Sequence, residues 1–149
     1  MGDYLEASYD KFVFRVKVGY FYSKDDFWAN VSDHIATVGV SDFLQKVRGD
    51  IAFLETVEVG TDVKQGQEIG KIETIKATFA ILSPVSGRVL EVNPELESSA
   101  YLINEDPYGP GWIYKIELTD FAGDKAGLLQ AGGYLEVMEK KIAEEMKKK

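Results

Sequence analysis

Short apolar segments follow one another from Phe12 to Leu118, and each is cut off by glycine, proline or a polar cluster. Many of them alternate, and alternation is the constraint. It puts every second side chain on one face, which suits a half-buried strand and not a helix. Phe14-Arg15-Val16-Lys17-Val18 is the first alternating run, inside a strand that starts at Phe12. Trp28 to Ser32 and His34 to Val40 follow as a pair of strands around Ser32-Asp33. Ile51 to Val57, Ile69 to Ile75, Thr78 to Leu82, Arg88 to Val92 and Trp112 to Leu118 continue the series. Gly60, Gly66 and Gly70 mark turns or bulges. Ser41-Asp42 opens a brief helix over Phe43 to Val47, because a short side-chain oxygen accepts from the free N–H groups of a first helical turn. Gly49 ends that helix. Asn93-Pro94 opens a shorter helical turn, and Asp106 to Gly111 is a rigid loop. Beyond Asp120 the period changes: Leu135, Met138, Ile142 and Met146 make one apolar stripe at helical spacing. The expected fold is mainly β, a small sandwich or barrel with short C-terminal helices. No linker composition divides the chain. Residues 1–149 therefore read as one domain, with 1–20 as an N-terminal extension and 121–149 as the helical end.

Composition narrows the function. Seventeen Lys and Arg stand against 25 Asp and Glu, a net charge of −8. Such a balance argues against nucleic acid or an anionic membrane as the partner. No apolar run approaches the roughly 20 residues of a membrane span. Met1 to Asp10 lacks the apolar core of a secretory signal, so the expected location is the cytoplasm. The chain has no cysteine, which removes disulfides, cysteine nucleophiles and thiolate metal sites. Its one histidine, His34, reads as an ordinary structural or surface residue and not as the base of a catalytic triad. Asp25-Asp26 offers too few ligands for a metal and reads as a solvated turn. Glycine-rich phosphate loops are also missing. The expectation is a protein with no catalytic residues and no metal site.

One lysine stands apart. Lys76 lies between two predicted strands in Glu73-Thr74-Ile75-Lys76-Ala77-Thr78, and the second strand runs into Ser83-Pro84-Val85-Ser86-Gly87. A lysine at an exposed hairpin tip is rigidly presented and fully reachable, as the target of a modifying enzyme must be.

These two runs resemble the lipoylation site of the glycine cleavage system H protein family, whose usual form is E-[ST]-[VI]-K-A followed by an [SA]-P-[VI]-S-G turn. Further segments agree in order and spacing: Tyr22-Ser23-Lys24 with Trp28, Ala36 to Asp42, Gly49-Asp50-Ile51 with Phe53-Leu54-Glu55, Val89 to Asn93, Leu102-Ile103-Asn104, Pro107-Tyr108-Gly109 and Gly111-Trp112. The likeness spans roughly Tyr22 to Glu145. It implies a barrel-sandwich hybrid, the fold of lipoyl and biotinyl domains, and a carrier instead of an enzyme. By the same resemblance, lipoic acid is joined by an amide to Lys76. Glu73, Gly60 and Ala77 match positions that a lipoate ligase or lipoyl transferase recognises. The partners it implies are glycine decarboxylase (P-protein), the aminomethyltransferase (T-protein) and dihydrolipoyl dehydrogenase (L-protein).

The sequence departs from the family where a cleft receives the loaded arm. Alignment on Trp28 puts the family's S/E-H-E-W segment on Asp25-Asp26-Phe27-Trp28, so Phe27 replaces its glutamate. Alignment on Asp42 puts Phe43 in place of a histidine, with Val47 further along the same helix. The expected arm cleft, Asp25, Asp26, Phe27 and Val47, is more apolar and less suited to an ammonium group. Asp25 or Asp26 is the carboxylate that could replace the missing one. This leaves two other readings open. One is an H-like lipoyl carrier serving a heterodisulfide-reductase-like sulfur-oxidation system or a lipoyl relay. The other is an unmodified interaction domain.

Overall fold

The computed structural model describes residues 3–147, with side chains through Glu145. The last position of the apolar stripe, Met146, and the lysine tail lie outside the side chains described. The chain opens with a hairpin, β1 (Tyr4–Tyr9) and β2 (Phe12–Lys17). Strands β3 (Phe21–Tyr22), β4 (Phe27–Ser32) and β5 (Ile35–Val40) follow, then helix α1 (Asp42–Arg48). Next come β6 (Ile51–Thr56), β7 (Asp62–Val63), β8 (Glu68–Thr74), β9 (Thr78–Leu82) and β10 (Gly87–Val92). A 3-10 turn at Pro94–Glu97, α2 (Leu102–Glu105) and β11 (Tyr114–Leu118) lead to α3 (Phe121–Asp124) and α4 (Ala131–Lys147).

Two sheets build the body. One has the order β3-β4-β5-β11-β10-β7 and the other β6-β8-β9, with every described pairing antiparallel. Their facing sides alternate as the sequence pattern requires. Val38, Val89 and Ile116 come from the large sheet and Ile72 and Ile81 from the small one, and all are buried in one cluster. A second cluster, rich in aromatics, gathers Phe14, Tyr22, Trp28, Phe43, Tyr108, Tyr134 and Met138 beneath the N-terminal hairpin and α4. The mainly β architecture, with helices at the C-terminal end, is the expected one. Within that helical end, α4 alone has 17 residues. Met138 and Ile142 of the predicted stripe are buried and Leu135 is half-buried. No described helix is long and apolar enough to cross a membrane.

Several local features follow from single residues. Ser41 caps α1 by accepting from the Leu44 N–H at 3.2 Å. Gly49 closes the helix at φ +90°, a backbone conformation that L side chains rarely adopt. Gly70, at φ +136°, sits in an irregular stretch of β8, where a Cβ would come within 2.3 Å of the Glu55 carbonyl oxygen. These three residues fix the two ends of α1 and the path of β8, the elements that frame the Lys76 hairpin.

Candidate modification site and groove

The turn between β8 and β9 carries Lys76. The Thr74 N–H donates to the Ala77 carbonyl at 2.8 Å. The Thr74 hydroxyl accepts from the N–H groups of Lys76 at 3.3 Å and Ala77 at 3.1 Å, and donates to the Ala77 carbonyl at 3.0 Å. One β-branched residue thus closes the tip on itself. Lys76 and Ala77 are exposed, and Ile75 is 83% exposed, with nothing to pack against. Among the described residues Lys76 belongs to no ion pair. Acylation at this amine needs reach and a backbone that holds still, and removing the charge breaks no ion pair. The tip fits a covalent lipoyl group on all three counts.

The other predicted recognition residues divide. Glu73 is half-buried and pairs across the sheet with Phe53 on one side and Thr78 on the other, one row below the tip. Gly60 lies elsewhere. It follows the end of β6 that pairs with Gly70, whereas the Thr74 end is the one near Lys76. It sits at φ +93° and donates to the Val89 carbonyl at 2.8 Å, which gives this glycine a structural reason of its own. His34 is exposed in the turn between β4 and β5.

The four predicted cleft residues come together. Asp25, Asp26 and Phe27 line a groove of about 340 Å³ together with Phe79 and Leu82 of β9. Val47 and Phe43 line an adjoining one of about 250 Å³. The two grooves share Asp26, Leu44, Arg48 and Lys141. Phe79 is three residues beyond Lys76, and the Lys76 Cε lies 4.0 Å from where a Gly49 side chain would begin. The groove therefore starts beside the lysine and runs along α1 toward α4. Arg48 covers Phe79, its guanidinium carbon 5.2 Å from the ring centre. Larger depressions of about 500 and 450 Å³ lie elsewhere and take no lining from the Glu73–Phe79 tip.

One expectation needs correction. Asp26 is not part of a solvated turn. Its side chain is 8% exposed and its φ is +77°. The Tyr134 hydroxyl donates to Oδ1 at 2.7 Å and the Lys141 ammonium to Oδ2 at 2.9 Å. A buried carboxylate persists only when it is paired and hydrogen-bonded, and both partners come from α4. Burial pushes the Tyr134 phenol well above its usual value, with the nearby Asp26 charge adding to the rise. Asp25, its neighbour, is exposed as expected. The reading of single residues also missed Arg48, Phe79, Tyr134 and Lys141. Phe79 had a signal, since its place in the strand after Lys76 was readable. The Asp26–Lys141 pair had none, because 115 residues separate its members.

Comparison with known proteins agrees with this geometry. Residues 20–141 match the glycine cleavage H-protein family. A probable glycine cleavage system H protein of Aeropyrum pernix is 43% identical over 120 residues, which covers 80% of this chain and 83% of that protein. The glycine cleavage system H protein of Thermus thermophilus is 41% identical over 119 residues, covering 80% and 92%. The crystal structure of a glycine cleavage system H protein from Mycobacterium marinum superposes with a TM-score of 0.72 at 28% identity, covering 80% of this chain and 95% of that one. The β1–β2 hairpin precedes the matched span. With its sandwich of two antiparallel sheets and an exposed lysine at the β8–β9 tip, the chain belongs to the glycine cleavage H-protein family.

Proposed function

We propose that this chain is the lipoyl-bearing shuttle of a glycine cleavage system. It carries the aminomethyl group of glycine from the decarboxylase to the aminomethyltransferase on a lipoyl-lysine at Lys76, and dihydrolipoyl dehydrogenase restores it. The observation that carries the reading is the self-contained, exposed tip at Lys76 within a chain of this family. When bound, lipoate supplies an exchangeable disulfide on a long tether. The chain itself does no bond-making in this reading. Its residues present the amine, keep the tip rigid and offer a groove beside it. Glu73 and Ala77 border the lysine and are the local features for a lipoate ligase or lipoyl transferase to recognise. Gly60 serves that recognition only if the enzyme spans the length of β6. The groove of Asp25, Asp26, Phe27 and Val47 holds the arm between encounters, with Phe27, Phe79 and Leu82 offering apolar contact to it. Tethering raises the local concentration of the reactive sulfur at each partner. The expected site of action is the cytoplasm.

Intact mass and peptide sequencing test the attachment. With lipoate and a ligase supplied, we expect one lipoyl amide, on Lys76, and none in Lys76→Arg, whose melting temperature should match the parent's. A lipoyl group on another lysine, or none on the parent, overturns the assignment. The lipoylated protein should then support glycine–bicarbonate exchange by an active decarboxylase. Absence of exchange counts against this system and for a different lipoyl-dependent one.

A further inference from the structure

The β1–β2 ribbon precedes the span shared with the family and has one closed edge and one open edge. The Val18 N–H donates to the Asp3 carbonyl at 2.9 Å, and the register runs unbroken from Tyr4 opposite Lys17 to Tyr9 opposite Phe12. Bonded and non-bonded rows alternate in an antiparallel pair. Asp3, Leu5, Ala7 and Tyr9 therefore spend their backbone groups on β2, and Tyr4, Glu6 and Ser8 turn theirs outward. On β2 the outward residues are Val13, Arg15 and Lys17, and the body of the protein meets them. Lys46 donates to the Val13 carbonyl and the Arg15 N–H to Asp42. The Tyr108 hydroxyl donates to the Arg15 carbonyl at 2.7 Å and the Tyr22 hydroxyl to the Lys17 carbonyl at 2.6 Å. On β1 the N–H and C=O groups of Tyr4, Glu6 and Ser8 have no partner among the described residues, and all three residues are exposed. Natural sheet edges are blunted by brevity, bulges, proline or lysine. The large sheet ends in β3 and β7, of two residues each. Strand β1 has six residues, no bulge, no proline and no lysine.

We propose that β1 pairs with β1 of a second copy of this chain, antiparallel about a two-fold axis at Ala7, so that two ribbons join into one four-stranded sheet. Only outward-facing backbone groups can bond across such a seam, so Glu6 and Ser8 set the register. Centring on Ala7 puts Glu6 opposite the copy's Ser8, Leu5 opposite its Tyr9 and Tyr4 opposite its Asp10. The two-fold makes each contact occur twice. Four backbone bonds then link Glu6 and Ser8 across the seam. Leu5 covers a Tyr9 ring that is 43% exposed in the single chain. Asp10 arrives at the Tyr4 ring, where the Lys17 ammonium already stands 4.7 Å from the ring centre, so an acid meets a cation. Glu6 keeps Arg15 of its own ribbon as its ion-pair partner. The neighbouring registers are worse. Centring on Glu6 sets two carboxylates directly opposite each other, which is destabilising. Centring on Leu5 leaves Ser8 and Tyr9 without partners.

Sedimentation equilibrium of the full chain from micromolar to millimolar concentration tests the association. We expect a dimer, with the Glu6 and Ser8 amides gaining protection from exchange as it forms. Ser8→Pro removes an N–H that the single chain does not use, and proline is tolerated where a strand edge faces solvent. Its melting temperature at dilution should match the parent's, while dimerisation weakens by about a hundredfold, the scale of two lost inter-strand bonds. Cysteines read the register, because the chain has none of its own. Glu6→Cys and Ser8→Cys chains, mixed and oxidised, should cross-link, since the two positions face each other with Cα atoms about 5.5 Å apart. Neither variant alone should do so. A monomer at every concentration overturns the proposal. So does a dimer that Ser8→Pro leaves intact, or a mixture that cross-links no more than either variant alone. If Ser8→Pro lowers the melting temperature, the cysteine pair decides by itself.

Discussion

The molecule contains two hairpins of similar size that are used in opposite ways. The N-terminal hairpin, β1–β2, spends one face on the aromatic cluster: Ala7, Phe14 and Val16 are buried there. It is also bonded outward. The Arg15 N–H donates to Asp42 Oδ2 at 2.9 Å, and the Tyr108 hydroxyl donates to the Arg15 carbonyl at 2.7 Å. Lys46 bridges the Val13 carbonyl and Asp42. These contacts grip the first turn of α1, whose last turn supplies Val47 and Arg48 to the groove. At the β8–β9 tip the polar bonds close on Thr74 and Ala77 and go no further. A hairpin bonded to its neighbours is scaffold. One that satisfies itself can carry a working group away from the body without loosening it.

Alkali should have the largest effect, because it attacks the aromatic cluster under the N-terminal hairpin and leaves the Lys76 tip without a target. Burial raises the phenols of Tyr20, Tyr22, Tyr108 and Tyr134, all in or beside the aromatic cluster, and pushes Tyr114 up to about 12. A folded pKa above the unfolded one contributes stability that is present below about pH 10 and is lost as pH climbs through the folded value. We expect unfolding above pH 10, with phenolate absorbance from these five rising together with the loss of far-UV dichroism. Ionisation of the five near pH 10 without unfolding would contradict their burial.

Next in size is Phe14→Ala. Phe14 is 1% exposed and meets Phe43 edge-on at 5.7 Å. Truncation should cost about 3–5 kcal/mol in urea unfolding, from lost transfer energy and the cavity left behind. Lipoylation of Lys76 in the remaining folded protein should be unaffected. A cost below about 1 kcal/mol would mean that the hairpin is an ornament on the fold and not a part of it.

The smallest effect belongs to the other hairpin. Thr74→Val removes the hydroxyl that serves Lys76 and Ala77, and should cost about 1 kcal/mol. Faster amide exchange should be confined to Ala77 and its neighbours. Exchange that speeds up in β6 or α1 as well would show that the tip is coupled to the body after all.

Most of what is local was legible in the chain. The β4–β5 pair, the Ser41 cap, the Asn93-Pro94 turn and the Lys76 hairpin each rest on contiguous residues with their own chemistry. Strand β1 was not, because the alternation of Leu5, Ala7 and Tyr9 is short and centred on a small residue, and only Ala7 of its six side chains is buried. Two-residue strands such as β3 and β7 are too short for a pattern. The cleft was half legible. The resemblance located Asp25, Asp26, Phe27 and Val47, but the state of Asp26 depends on a helix more than a hundred residues away. Where the partner of a charge comes from across the fold, local sequence describes the charge and not its environment.

The closed tip at Thr74–Ala77 also has a thermodynamic consequence. A group attached to Lys76 rides on folded and unfolded chains alike and adds no interaction that only the folded chain makes at the tip. By linkage, a ligand that does not distinguish the two states shifts neither. Loaded and empty forms should then melt together unless the arm finds the groove, so any difference in their melting temperatures directly measures occupancy of that groove.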